Sequence, residues 1–189
     1  MISEKDLNLI KKDSIRVITI SIVSHLIHSQ ISKGQLFNDS WKDNLIGTLL
    51  GFFIYHTLSK NLTGMIISNL NIQNNNIKDS ISDSVKFSTI LMVKHFYKTK
   101  SLNLSNNILT KIIIMIVTFA LFHTYIKQNI KKISEDKSVL ISARTSSILL
   151  ATDYFTDYDI EDETLGKLAS KIGSIFIYNK YLVKHLENL

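Results

Sequence analysis

Apolar residues gather into six segments, about Ser14–Ile31, Asn44–Leu58, Ser84–Tyr97, Asn107–Ile126, Val139–Tyr154 and Leu165–Leu186, separated by polar stretches. Two of them carry no polar face: Leu45–Tyr55 reads LIGTLLGFFIY and Ile112–Phe122 reads IIIMIVTFALF. A helix on the surface of a soluble bundle shows a polar face comparable in width to its apolar one, so these two segments point to a membrane bundle. A membrane span wants about 20 mainly apolar residues, and most of the six are shorter or carry Ser, Thr and His inside. Buried helices of a soluble bundle are therefore the competing reading. The pattern predicts an all-α chain of six helices, as a transmembrane bundle before a soluble one.

The segments repeat in pairs. Asp13–His25 reads DSIRVITISIVSH and Asp83–His95 reads DSVKFSTILMVKH, identical at six of thirteen positions at an offset of 70. In the partner helices, Phe52–Thr57 (FFIYHT) aligns with Phe119–Thr124 (FALFHT). A third copy follows, because Ser88–Tyr97 (STILMVKHFY) matches Ser146–Phe155 (SSILLATDYF) and Phe53-Ile54-Tyr55 recurs as Phe176-Ile177-Tyr178. The chain reads as one domain over 1–189, built of three tandem helical hairpins at about 13–60, 83–127 and 138–188. Repeats of this size, each unable to bury its apolar face alone, gain stability by stacking.

Repetition superimposes three sets of polar residues. Arg16, Lys86 and Arg144 share a position early in the first helix of each hairpin, and His25, His95 and Asp153 share one nine residues later. In the second helices His56, His123 and Asn179 coincide. Because the two helices of a hairpin run in opposite directions, the His56 set lies nearer the Arg16 end. The His25 set lies about 13 Å beyond Arg16 at 1.5 Å per residue.

Composition narrows the function classes. The 189 residues include no cysteine, which excludes a disulfide scaffold, a Cys-based zinc site and a thiol nucleophile. They also include no proline, where average usage gives roughly nine, in keeping with uninterrupted helices joined by short turns. A hydrophobic content of 45% is too high for a disordered chain. The net charge of +6 does not read as nucleic-acid binding, because the basic residues sit between apolar stretches and form no stripe with interleaved aromatics. No small-residue cleavage site follows a basic stretch in the first 30 residues, so no removable signal peptide is expected.

If six helices cross a membrane, both termini share one side with the loops near 59–83 and 127–137. That side holds Lys5, Lys11, Lys12, Lys60, Lys78, Lys127, Lys131, Lys132, Lys137, Lys180 and Lys184, and the other holds Lys33, Lys42, Lys98 and Lys100. The excess predicts cytoplasmic termini. Trp41, Tyr55, Tyr97, Tyr154 and Tyr178 near segment ends fit an interfacial aromatic belt or buried packing. The last loop on the lysine-poor side is acidic, with Asp157, Asp159, Glu161, Asp162 and Glu163. It lacks the glycine of an EF-hand calcium loop and reads better as a solvated or docking surface for a basic partner.

Candidate chemistry rests on the superimposed residues. Histidines paired at two depths, His25 with His95 and His56 with His123, could ligate two b-type haems on four consecutive helices. This resembles the cytochrome b561 family in helix count and in those four residues, and implies a haem electron carrier. His25, His95 and Asp153 match a two-histidine, one-carboxylate metal set by type, if the hairpins surround a threefold axis. The plainer reading places the His25 set at a membrane–water boundary, with Arg16, Lys86 and Arg144 snorkelling to the other. An ion or proton transporter would use the same residue types. Three Asn-X-Ser/Thr triplets, at Asn38, Asn61 and Asn103, are what an Asn-rich chain produces freely.

The first hairpin has a polar start and an apolar helix, then Leu36–Trp41 (LFNDSW), then Leu49–His56 (LLGFFIYH). It resembles small tandem-repeat membrane proteins of large icosahedral DNA viruses with an internal membrane. That resemblance implies a multi-span structural protein tying a membrane to minor capsid proteins, and identifies no functional residue. The chain is accordingly expected to be a structural integral membrane protein, not an enzyme. Its expected partners are a lipid bilayer and proteins of a larger assembly, with no nucleic acid and no cofactor. Anchoring would rest on small-residue packing at Gly47 and Gly51 and on charged loops.

Overall fold

The computed structural model describes residues 3–32, 39–156 and 162–186, and every regular element among them is helical. In chain order these are α1 (Glu4–Ser32), α2 (Asp39–Ile54), α3 (Lys60–Asn69), α4 (Asn75–Thr99), α5 (Asn106–Leu121), α6 (Lys127–Ile133), α7 (Lys137–Thr156), α8 (Asp162–Ile177) and α9 (Val183–Leu186). Three π-helical turns, Tyr55–Ser59, Phe122–Ile126 and Tyr178–Leu182, join α2 to α3, α5 to α6 and α8 to α9 without a break. The chain therefore folds as six rods, the second of each hairpin carrying one π-turn.

The rods extend beyond the apolar segments because their ends are capped. The Ser3 hydroxyl accepts the Asp6 N–H at 3.1 Å, and Glu4 and Asp6 complement the positive end of the α1 dipole. The Asn74 side chain accepts from the N–H groups of Asn76 and Ile77 at the start of α4, and Ser105 accepts from Ile108 at the start of α5. Lys100, with φ of 56°, stops α4 in the left-handed conformation.

Each rod packs on the next, α1 on α2, α2 on α4, α4 on α5, α5 on α7 and α7 on α8, and α8 returns to α1. Three hairpins thus close into a ring. Equivalent residues of the three repeats are buried, Phe52, Phe119 and Ile175 at one repeat position and Tyr55, Phe122 and Tyr178 at another, and Phe119 packs with Met115 and Ile148. Seams between hairpins differ in closeness. A Cβ on Gly51 would lie 2.7 Å from the Ile90 Cα, and one on Gly47 3.1 Å from the Lys94 Cγ, so α2 and α4 meet at backbone distance. On α8 the fully buried Ser170 and Ser174 share a face with Gly173, where an added Cβ would sit 4.0 Å from Ile27 of α1.

Beside this apolar core the ring buries polar side chains, and several rods leave apolar ones exposed. Asp13, His56, Ser80, Ser84, His123, Ser142, Ser170, Ser174 and Asn179 are all buried. Ile18, Ile22 and Leu26 form an exposed stripe on α1, as do Ile46, Leu50 and Phe53 on α2 and Leu109, Ile113, Ile116, Val117 and Leu121 on α5. One described helix, Asn106–Ile133, is long and apolar enough to cross a membrane, and most of its apolar window is not buried.

Candidate functional site

The π-turns place their second residue, His56, His123 or Asn179, toward the first rod of the same hairpin. A π-turn inserts one residue into the helical register, and in all three second rods the insertion falls next to this polar residue. In the first hairpin His56 Nε2 donates to Asp13 Oδ2 at 2.8 Å. In the second, His123 Nε2 donates to Asp83 Oδ2 at 2.8 Å. An ionised carboxylate only accepts, so each Nε2 carries the proton. In the third hairpin the pair is neutral: the Asn179 amide donates to the Ser142 hydroxyl at 3.2 Å and to the Ile175 carbonyl at 2.9 Å.

The following hairpin supplies a cation to the first two of these pairs. Lys86 donates to Asp13 Oδ2 at 2.7 Å and lies over the rings of Phe52 and Tyr55, at 4.8 and 5.6 Å. Arg144 of the third hairpin approaches Asp83 at 3.2 Å. Ring closure brings Arg16 of the first hairpin over the ring of Tyr178, 5.8 Å from its centroid, while its guanidinium stays 3.6 Å from Asp13. Lys86 and Arg144 thus each reach a carboxylate of the hairpin before them, and Arg16 reaches the π-turn tyrosine of the hairpin before it around the ring. In the first two hairpins the arrangement is a clasp in which histidine and carboxylate come from one hairpin and the cation from its neighbour.

An outer tier of ion pairs closes each hairpin on itself. Lys60 of α3 bonds Asp6 of α1 at 2.7 Å, Lys127 of α6 bonds Asp79 of α4 at 2.8 Å, and Lys180 of the last π-turn bonds Asp136 just before α7. The Lys180 ammonium, with help from Ser138, holds the Asp136 carboxyl well below the ordinary carboxylate range. Lys60 and Ser3 lower Asp6 in the same direction. Beside the second clasp is a cleft of about 190 Å³, lined by Asp79, Asp83, His123, Lys127 and Arg144 among others. The His123 Nδ1, buried without a hydrogen bond, lies 3.9 Å from Asp79 Oδ2 in that region.

The remaining candidates go elsewhere. His25 packs against Trp41 across the first hairpin turn with ring centroids 5.9 Å apart, and His95 Nε2 donates to the Asn103 carbonyl in the second turn at 3.0 Å. Both therefore serve their own turns. The Asp153 side chain lies outside the described residues, as do Asp157, Asp159 and Glu161 of the acidic loop. Asp162 and Glu163 open α8, with side chains likewise outside the description. Among the described residues no three His, Asp or Glu are grouped to hold a metal ion. His56 and His123 each commit Nε2 to a carboxylate of their own hairpin and keep Nδ1 buried without a hydrogen bond.

Asp13 and Asp83 carry the clasps yet are absent from the sequence-derived candidates. The signal for them lies in the repeats themselves. The two hairpins with Asp at this position have His in the second rod, and the third replaces both, with Ile141 and Asn179. No family model, curated protein or solved structure matches this chain.

Proposed function

We propose that this chain is an integral membrane protein with a structural role, its three hairpins clasped into one ring that anchors a larger assembly. The carrying observation is the pairing of exposed apolar stripes with buried polar groups: large apolar side chains face outward on several rods while serines, Asp13, His56, His123 and Asn179 lie inside beside the apolar core. Lipid accommodates that outer surface, and ionisable groups within a membrane bundle face its interior and pair with one another. The clasps favour a structural role over catalysis, since Asp13 and Asp83 are each bound by a histidine and a neighbouring cation. A capsid above an internal membrane is the assembly that the first hairpin's resemblance suggests.

Alkaline carbonate extraction of membranes from expressing cells tests the medium. The chain is expected in the pellet, and its release to the supernatant would remove the membrane reading. Exchanging Asp157, Asp159, Glu161, Asp162 and Glu163 for their amides tests the anchoring. Co-purification of partners should weaken while membrane retention holds, and unchanged co-purification would dispose of the acidic segment as the docking site. A second reading, proton or ion handling, is favoured by the buried His123 Nδ1 beside Asp79 and the adjoining cleft. Flux into proteoliposomes that His123→Ala abolishes would support it over the structural one.

A further inference from the structure

Six of the lysines at the charged end of the ring divide into two groups. Lys60, Lys127 and Lys180 are neutralised by Asp6, Asp79 and Asp136. Lys131, Lys132 and Lys137 are exposed, and none of them meets a carboxylate among the described residues. All three sit where α6 ends and α7 begins, within seven residues of chain. Of the acids between them, Asp136 is committed to Lys180, which leaves Glu135 against three cations.

On the rod that carries Lys131 and Lys132, the exposed apolar surface of α5 runs on to Tyr125 and Ile126 in the π-turn, and Ile133 stands one residue past Lys132. Tyr125 is 68% exposed, Ile126 39% and Ile133 86%. This rod, Asn106–Ile133, is the described helix long and apolar enough to cross a bilayer, and the three lysines stand at its exit. Exposed apolar side chains ending in unpaired cations match the depth profile of a leaflet, acyl chains first and phosphates above. An acidic protein surface would account for the lysines but not for the isoleucines beside them.

We propose that Lys131, Lys132 and Lys137 bind the phosphate of anionic phospholipids in the leaflet at this end of the ring. The proposal rests on the membrane reading. Juxtamembrane basic residues attract anionic lipid with an affinity gain of about fivefold each. Native mass spectrometry of the full chain, released from micelles holding equal phosphatidylglycerol and phosphatidylcholine, should show phosphatidylglycerol retained in several-fold excess. The triple variant K131Q/K132Q/K137Q should lose that excess, K131R/K132R/K137R should keep it, and K42Q/K98Q at the opposite end should leave it unchanged. Equal retention of the two lipids, or an excess that survives the triple variant, overturns the proposal. So does an excess abolished by inorganic phosphate alone, which would make the site one for free anions. Carbonate extraction separates the two failures: release from membranes overturns both readings, whereas retention without lipid preference overturns only this one.

Discussion

The first and third seams of the ring solve one problem in opposite ways. Between the first and second hairpins, Asp13 takes a hydrogen bond from His56 and another from Lys86, and Gly51 lets α2 and α4 meet at backbone distance. Between the third and first, no carboxylate stands at the clasp position, Asn179 and Ser142 satisfy each other, and Arg16 rests on the Tyr178 ring. Fully buried Ser170 and Ser174 fill the space there. The comparison teaches that the clasp position accepts either a charged pair or a neutral one. A neutral pair carries a smaller desolvation cost, whereas a charge pair commits its members to each other.

The largest expected effect follows from that commitment. Asp13→Ala leaves Lys86 and the buried His56 without their acceptor, and removal of one partner of such a buried pair costs about 3 kcal/mol. Asn179→Ala, at the neutral seam, should cost about 1 kcal/mol. Thermal unfolding of the two variants in the same detergent checks the ranking, and equal losses would break the comparison.

Glycine substitutions probe the seams by size. Gly51→Ala drives a methyl to within 2.7 Å of the Ile90 backbone and should cost about 1–3 kcal/mol. Gly173→Ala meets only Ile27 at 4.0 Å and should stabilise α8 by up to about 1 kcal/mol through helix propensity. Opposite shifts in the melting temperature are the expected result.

Installing the missing clasp sharpens the contrast further. Ile141→Asp alone adds a carboxylate without its histidine, and Asn179→His alone adds a histidine without its carboxylate. The double variant should be more stable than the sum of the singles predicts by about 1 kcal/mol, the coupling expected of contacting residues. A coupling near zero would show that the third repeat cannot reach the geometry of the others.

The smallest effect concerns the outer tier. Asp136 has its carboxyl lowered by Lys180, so its contribution is complete above the unfolded carboxylate value of 3.8 and disappears as pH falls through the lower folded value. Asp136→Asn should therefore lower stability slightly at neutral pH and leave it unchanged at the acid end, so that the acid limb of the stability curve flattens. Exposure of this pair keeps the effect small.

Six helices were legible from apolar segments and polar turns because both are local properties of the chain. The superposition of Arg16, Lys86 and Arg144 was legible too, since repetition aligns equivalent residues whatever their contacts. His25 and His95 show where alignment misleads. Equal position along a rod does not imply convergence, and each turned to a partner in its own hairpin turn. The π-turns had no mark in the sequence, because one inserted residue in a helix leaves the apolar pattern intact.

By itself, the sequence determined an all-helical chain with no thiol chemistry, three aligned sets of polar residues and a basic excess at one end. Only the tertiary structure decided that α8 returns to α1 and that Arg16 meets Tyr178 from the other end of the chain. It alone joined His56 to Asp13 and His123 to Asp83. Those pairings span 40 or more residues, and they depend on how a π-turn rotates one rod against another. Helix formation is written in neighbours along the chain, whereas a clasp is written in the distance between rods, which no local pattern encodes.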